Sequence, residues 1–123
     1  MSTKRLITAI ASAVLLGTTA VALATVVVHH DSRVTITKTM PYFAGKVHSP
    51  EPACQSGRRV TLNAVEPGES VGSDQTNADG EWRINFQGEG VVHYFAKVKR
   101  RSDGTAGTIH VCKSDRSPVI AAP

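Results

Sequence analysis

Aromatic side chains make up only 5% of this 123-residue chain, leucine is scarce, and cysteine occurs twice. So little leucine and aromatic mass argues against a helical bundle. The residues that dominate instead, Val, Thr, Ala and Gly, suit β-structure, because β-branched side chains fit a pleated, half-buried surface. Concentrated charge is missing too. The formal charge is +4, and loss of Lys4 and Arg5 with a leader would leave +2 (4 − 2), without the clustered basic face that nucleic-acid binding needs. There are no paired carboxylates, no nucleophile spaced to meet a base, and no glycine loop of the kind that cradles phosphate. The expectation is a protein that is not an enzyme, with no catalytic residues, no cofactor, no metal and no nucleic-acid partner.

One stretch lacks charge altogether. After Lys4 and Arg5, none occurs from Leu6 to Val28. Small residues at Ala20-Val21-Ala22 and Ala22-Leu23-Ala24 have the spacing that a signal peptidase accepts. Residues 1–24 therefore read as a signal peptide, an apolar N-terminal helix cut near Ala24. The competing reading is an uncleaved anchor over residues 6–28, since about 20 apolar residues span a bilayer. Either way the rest of the chain lies outside the cytoplasm, secreted or anchored with its domain facing out. Oxidising conditions there favour a bond between Cys54 and Cys112. A nucleophilic cysteine would need a base poised against it, and His110, two residues from Cys112 on a strand, does not provide one.

Residues 25–32 read as a linker, 33–117 as one domain and 118–123 as a tail. Within the domain, turn signals recur about every ten residues, the rhythm of a sandwich or barrel. Alternating runs cover Arg33–Lys38, Phe43–His48, Arg58–Val65, Glu81–Phe86, Val91–Arg101 and Thr108–Ser114, with a weak edge strand over Val71–Thr76. Their inward positions give a predicted core of Val60, Leu62, Trp82, Ile84, Phe86, Tyr94 and Val98. In the last run Ile109 and Val111 are taken inward, and Cys112 ties the strand end to a proline-bearing loop. No helical periodicity follows Val28. The fold class is all-β, a single seven- to eight-stranded antiparallel β-sandwich.

Three places invite a functional reading. "SDQTNADGEW" (residues 73–82) puts Gln75, Asn77 and Asp79 at alternate positions ahead of Gly80, but a calcium loop needs a bidentate carboxylate at its twelfth position, where Phe86 stands. A structural turn built on Asn77, Asp79 and Gly80 fits better. His29-His30-Asp31 would need metal ligands from elsewhere, and His48, His93 and His110 fall on three separate runs. The basic set Lys97, Lys99, Arg100 and Arg101 offers an anion-binding stripe, to which Arg58 and Arg59 are candidate neighbours. Its plainer reading is a charged strand that protects a sheet edge.

The order Gly45-Lys46-Val47, Gly57-Arg58-Arg59-Val60-Thr61-Leu62, Thr76-Asn77-Ala78-Asp79-Gly80-Glu81-Trp82 and Tyr94-Phe95-Ala96-Lys97-Val98 resembles a carboxypeptidase regulatory-like domain. These are transthyretin-like (prealbumin-like) β-sandwiches of Greek-key type. The resemblance implies a structural Asp-Gly turn and a cysteine bridge from near the second strand to near the last. It also implies an accessory, adhesive or carrier role on an exported protein. Two enzymatic branches of that wider fold do not match. The chain ends "SPVIAAP" rather than with the tyrosine-arginine-glycine-serine motif of hydroxyisourate hydrolases, and Tyr42, Tyr94 and the histidines lack the spacing of intradiol dioxygenases. The expected function is a small secreted or cell-surface module with a structural or interaction role, its partner a protein or cell-surface polymer. The alternative is a carrier or polyanion-binding domain using Lys97–Arg101. Membrane contact is expected only through an uncleaved leader.

Overall fold

The computed structural model describes residues 24–122, and the predicted signal helix lies outside them. The strands run β1 (Val26–His30), β2 (Arg33–Val34), β3 (Thr37–Thr39), β4 (Tyr42–His48), β5 (Arg59–Ala64) and β6 (Glu69–Gln75). They continue with β7 (Glu81–Asn85), β8 (Val92–Val98), β9 (Arg101–Thr105), β10 (Thr108–Cys112), β11 (Asp115–Arg116) and β12 (Ile120–Ala122). A short 3-10 turn covers Pro52–Cys54. No helix among the described residues is long and apolar enough to cross a membrane.

The chain is all-β. Alternation in β5 buries Val60, Leu62 and Ala64, and alternation in β8 buries Tyr94, Ala96 and Val98. The two strands pair antiparallel in that phase, Val60 against Val98 and Leu62 against Ala96. β6 closes one side of β5, with a bulge at Leu62/Asn63, and β11 and β12 cover the far side of β8. A second sheet is centred on β4, flanked by β2 and β3 on one side and β7 on the other. Its inward residues Val34, Phe43, Val47, Trp82 and Ile84 join those of the first sheet in one hydrophobic cluster, and the Phe43 and Tyr94 rings meet 4.8 Å apart. Two sheets facing across one core is an arrangement consistent with a β-sandwich.

Several boundaries differ from those read in the sequence. Twelve strands are present among the described residues, against seven to eight expected. Residues 26–30, inside the linker expected over 25–32, form β1, because the β-branched run Val26–Val28 completes the edge of β10. That pairing is parallel, so the fold is not purely antiparallel. Residues 120–122, inside the tail expected over 118–123, pair with β8 and bury Ala122. The run expected over Arg33–Lys38 bends into β2 and β3 while keeping one register on β4. Gly45 permits the bend, since a Cβ there would collide with the Thr35 carbonyl and the Trp82 indole nitrogen. Phe86, predicted as core, lies beyond the end of β7 and is only half-buried, its ring edge-on to Tyr94 at 5.9 Å.

The run expected over Val91–Arg101 divides at Lys99–Arg100, where the chain leaves the first sheet. It enters a third sheet of order β1-β10-β9. Val111 and Cys112 are both buried in β10, so near the strand end both faces are covered rather than the Ile109/Val111 face alone.

Candidate functional site

Where the third sheet meets the other two, three devices hold the chain. The first is the bond between Cys54 and Cys112, with Cα atoms 5.4 Å apart and both residues buried. It joins the 3-10 turn to the end of β10. The second is Arg58, whose side chain is 0% exposed. Its Nη1 donates to the Cys54 carbonyl (2.6 Å) and to Ser32 Oγ (3.0 Å), and its Nη2 to the carbonyls of Lys99 (2.9 Å) and Lys113 (3.0 Å). One planar fork thus collects acceptors from four segments, geometry that a lysine ammonium does not reproduce. Burial, and then the charge of Arg101, push the Arg58 pKa below its ordinary value, with Asp103 opposing. In the sequence Arg58 stands at the start of an alternating run, where its charge hides this role. Its parity with Val60 and Leu62 was the available signal.

The third device is Arg101. Its guanidinium donates to the carbonyls of Ala53, Ser56 and Gly57 and pairs with Asp103 Oδ2 at 3.1 Å. Arg101 therefore belongs to the frame, and the anion-binding stripe expected over Lys97–Arg101 does not form as one strand face.

A different cationic surface does form, on the outer face of β5 and β8. Arg59, Thr61 and Asn63 of β5 point away from the core, as do Phe95 and Lys97 of β8. The Lys99 amide donates to the Arg59 carbonyl (3.3 Å), which sets these two cations side by side. Arg116 of β11 is the register partner of Lys97, and its guanidinium lies 3.6 Å from the centre of the Phe95 ring. Arg59, Thr61, Asn63, Ser70, Lys97 and Lys99 line a groove, with no carboxylate among these lining residues. Among the described residues the ion pairs of Arg101 with Asp103 and Lys113 with Asp31 are made elsewhere, as is the hydrogen bond between His93 and Glu66. Arg59 stands beside the basic set as expected, whereas Arg116 lies past the last predicted run and only the register of β11 on β8 brings it beside Lys97.

The stretch at 73–82 is the end of β6, a turn over residues 76–80 and the start of β7. Asn77 Oδ1 accepts from the amides of Asp79 (3.0 Å) and Glu81 (2.9 Å), and Asp79 contributes its backbone amide. Gly80 has φ +84°, and its carbonyl accepts from the Val47 amide. A side chain at Gly80 would strike the Val47 carbonyl. The turn therefore couples β7 to β4. Asp74 of β6 links that strand to β7, its Oδ2 accepting from the Arg83 amide at 2.9 Å.

The histidines are not all scattered. His30 of β1 and His110 of β10 meet, with Glu51 beside them, while His48 and His93 lie on other strands. Compared with protein-family models, curated proteins and solved structures, the chain matches none.

Proposed function

We propose that this chain is an exported, disulfide-braced interaction module of transthyretin-like, carboxypeptidase regulatory-like type, without enzymatic activity. It holds a polyanionic cell-surface polymer against the outer face of β5 and β8. The observation that carries this reading is the cationic groove. Arg59, Lys97 and Lys99 line it, Arg116 stands next to it, and hydroxyl and amide groups of Thr61, Asn63 and Ser70 lie between. Such a surface attracts polyanions over the screening length of the medium and adds hydrogen bonds on contact. Export rests on the apolar leader that precedes the domain, and the Cys54–Cys112 bond is consistent with an oxidising compartment.

Retention on an immobilised sulfated polysaccharide, eluted with a salt gradient, tests the proposal. Binding should weaken as salt rises. The double variant Lys97→Glu/Lys99→Glu should lower affinity roughly tenfold or more, because it reverses two charges on an exposed face. Lys46→Glu, on the other sheet, should leave it unchanged. No retention at low salt, or retention that ignores both the salt and the double variant, would overturn the reading.

A further inference from the structure

His30 and His110, 80 residues apart in sequence, meet in the third sheet. Their meeting follows from the parallel register of β1 on β10, which sets His30 against Cys112 and Val28 against His110. Residues two apart on a strand share a face, so His110 lies on the same face as Cys112 and diagonally beside His30. The two rings stack with centroids 5.1 Å apart and planes 24° from parallel, and His30 Nε2 lies 2.9 Å from His110 Nδ1. A hydrogen bond there puts a single proton between two ring nitrogens, one donating and one accepting.

Glu51 approaches from the loop ahead of the 3-10 turn. One ligand atom from each of His30, Glu51 and His110 falls within 4.8 Å of the other two, and all three residues are half-buried. The loop is fixed in place nearby. Cys54, three residues beyond Glu51, is bonded to Cys112, the register partner of His30.

We propose that His30 Nε2, His110 Nδ1 and a Glu51 carboxylate oxygen bind a divalent transition-metal ion of the zinc and copper kind, the ion replacing the proton between the rings. Two imidazoles with one carboxylate are the donor set of such ions, whereas calcium and magnesium take oxygen ligands. Around tetrahedral zinc, donors about 2.0–2.1 Å from the ion stand about 3.3 Å from one another. The imidazole nitrogens are already nearly that far apart, and the Glu51 side chain is the flexible member that closes the set. Three protein donors leave a coordination position for water or for a group on a partner. The ion also has a structural consequence, since it ties β1 to the 51–54 loop and β10 by bonds that the unfolded chain does not make.

The test uses the tag-free, disulfide-bonded protein, stripped with chelator and titrated with Zn(II) by calorimetry and with Cu(II) by electron paramagnetic resonance. Expected are one ion per chain, a Cu(II) spectrum with two nitrogen ligands, a raised Tm, and slower amide exchange across Val26–His30. His30→Ala and His110→Ala should each weaken Zn(II) binding by roughly a hundredfold, and Glu51→Gln by roughly tenfold. His29→Ala, His48→Ala and His93→Ala should leave it intact. His110→Ala lies inside a strand and risks disturbing the sheet, so the near-isosteric loop variant Glu51→Gln provides the second reading. Absence of binding, binding that survives loss of both His30 and His110, or binding abolished by His48→Ala or His93→Ala would each overturn the site.

Discussion

Phe43, Val47, Val60, Leu62 and Val98 are fully shielded from water in the two facing sheets, whereas in the β1-β10-β9 sheet Val111 and Cys112 are the only buried side chains among the described residues. Each fully buried aliphatic or aromatic side chain stabilises by about 1.5–3 kcal/mol, so the facing sheets are held by many interchangeable contacts. The third sheet has a few named bonds in their place, with Val26 and Val27 left about half exposed. It is joined to the body by Cys54–Cys112, by the four hydrogen bonds of the Arg58 fork, and by Arg101 across the 53–57 loop. Area holds one region and specific bonds hold the other. They should therefore fail differently when single residues are changed.

The largest effect is expected from the disulfide. The bridge spans 58 positions, and closing a loop of that length removes unfolded-state entropy equivalent to about 4 kcal/mol in the chain-entropy model. Cys54→Ser/Cys112→Ser should lower global stability by about that amount, measured by denaturant unfolding. It should also raise amide exchange in β1, β9 and β10 well before β4, β5 and β8. Equal loss of protection in all six strands would show that the molecule is one cooperative unit and would break the comparison.

Arg58→Met comes next. The substitution keeps an apolar stem but leaves the carbonyls of Cys54, Lys99 and Lys113 without the donors they have now. Unpartnered buried acceptors cost about 1–3 kcal/mol each, while removing a buried cation that has no carboxylate partner returns part of its desolvation cost. The expected net loss is about 2–4 kcal/mol. Arg58→Lys should rescue little of it, because one ammonium does not span four segments. A Met variant as stable as the parent would mean that the fork specifies geometry without stabilising it.

The same contrast explains what could be read from the sequence. Val60-Leu62, Trp82-Ile84 and Tyr94-Val98 announce a strand and its buried face by alternation, and the structure buries all six. Asn77 and Gly80 announce a turn by local chemistry, and the turn is there. Alternation is silent about register. Nothing in "VVVHH" indicates that it will lie parallel to residues 108–112, and without that pairing His30 and His110 have no reason to meet. Arg101 looked like one more cation in a basic run because its three carbonyl acceptors lie on a loop more than 40 positions earlier. Arg58 carried a legible signal, the same parity as Val60, that its charge obscured.

The smallest effect concerns the region that area holds. His48 ends β4, opposite Arg33 in register, and its pKa is pushed below the ordinary value of 6.5 first by burial, then by the positive charges of Arg33 and Lys46. In the unfolded chain the ring takes up a proton at the ordinary value. Between that value and the lower folded one, the unfolded state therefore binds more protons. Stability contributed at this position is complete above about pH 6.5 and falls as the pH drops through the window. Unfolding measured from pH 7.5 down to 5 should show a steeper loss for the parent than for His48→Gln, the difference between them cancelling the shared titration of other groups. Arg33→Gln should remove only part of that difference, because burial is the larger cause. If it removes all of it, the charge across the β2–β4 pair governs the ring. Acid would then act on the facing sheets through a specific contact, as substitutions do on the third.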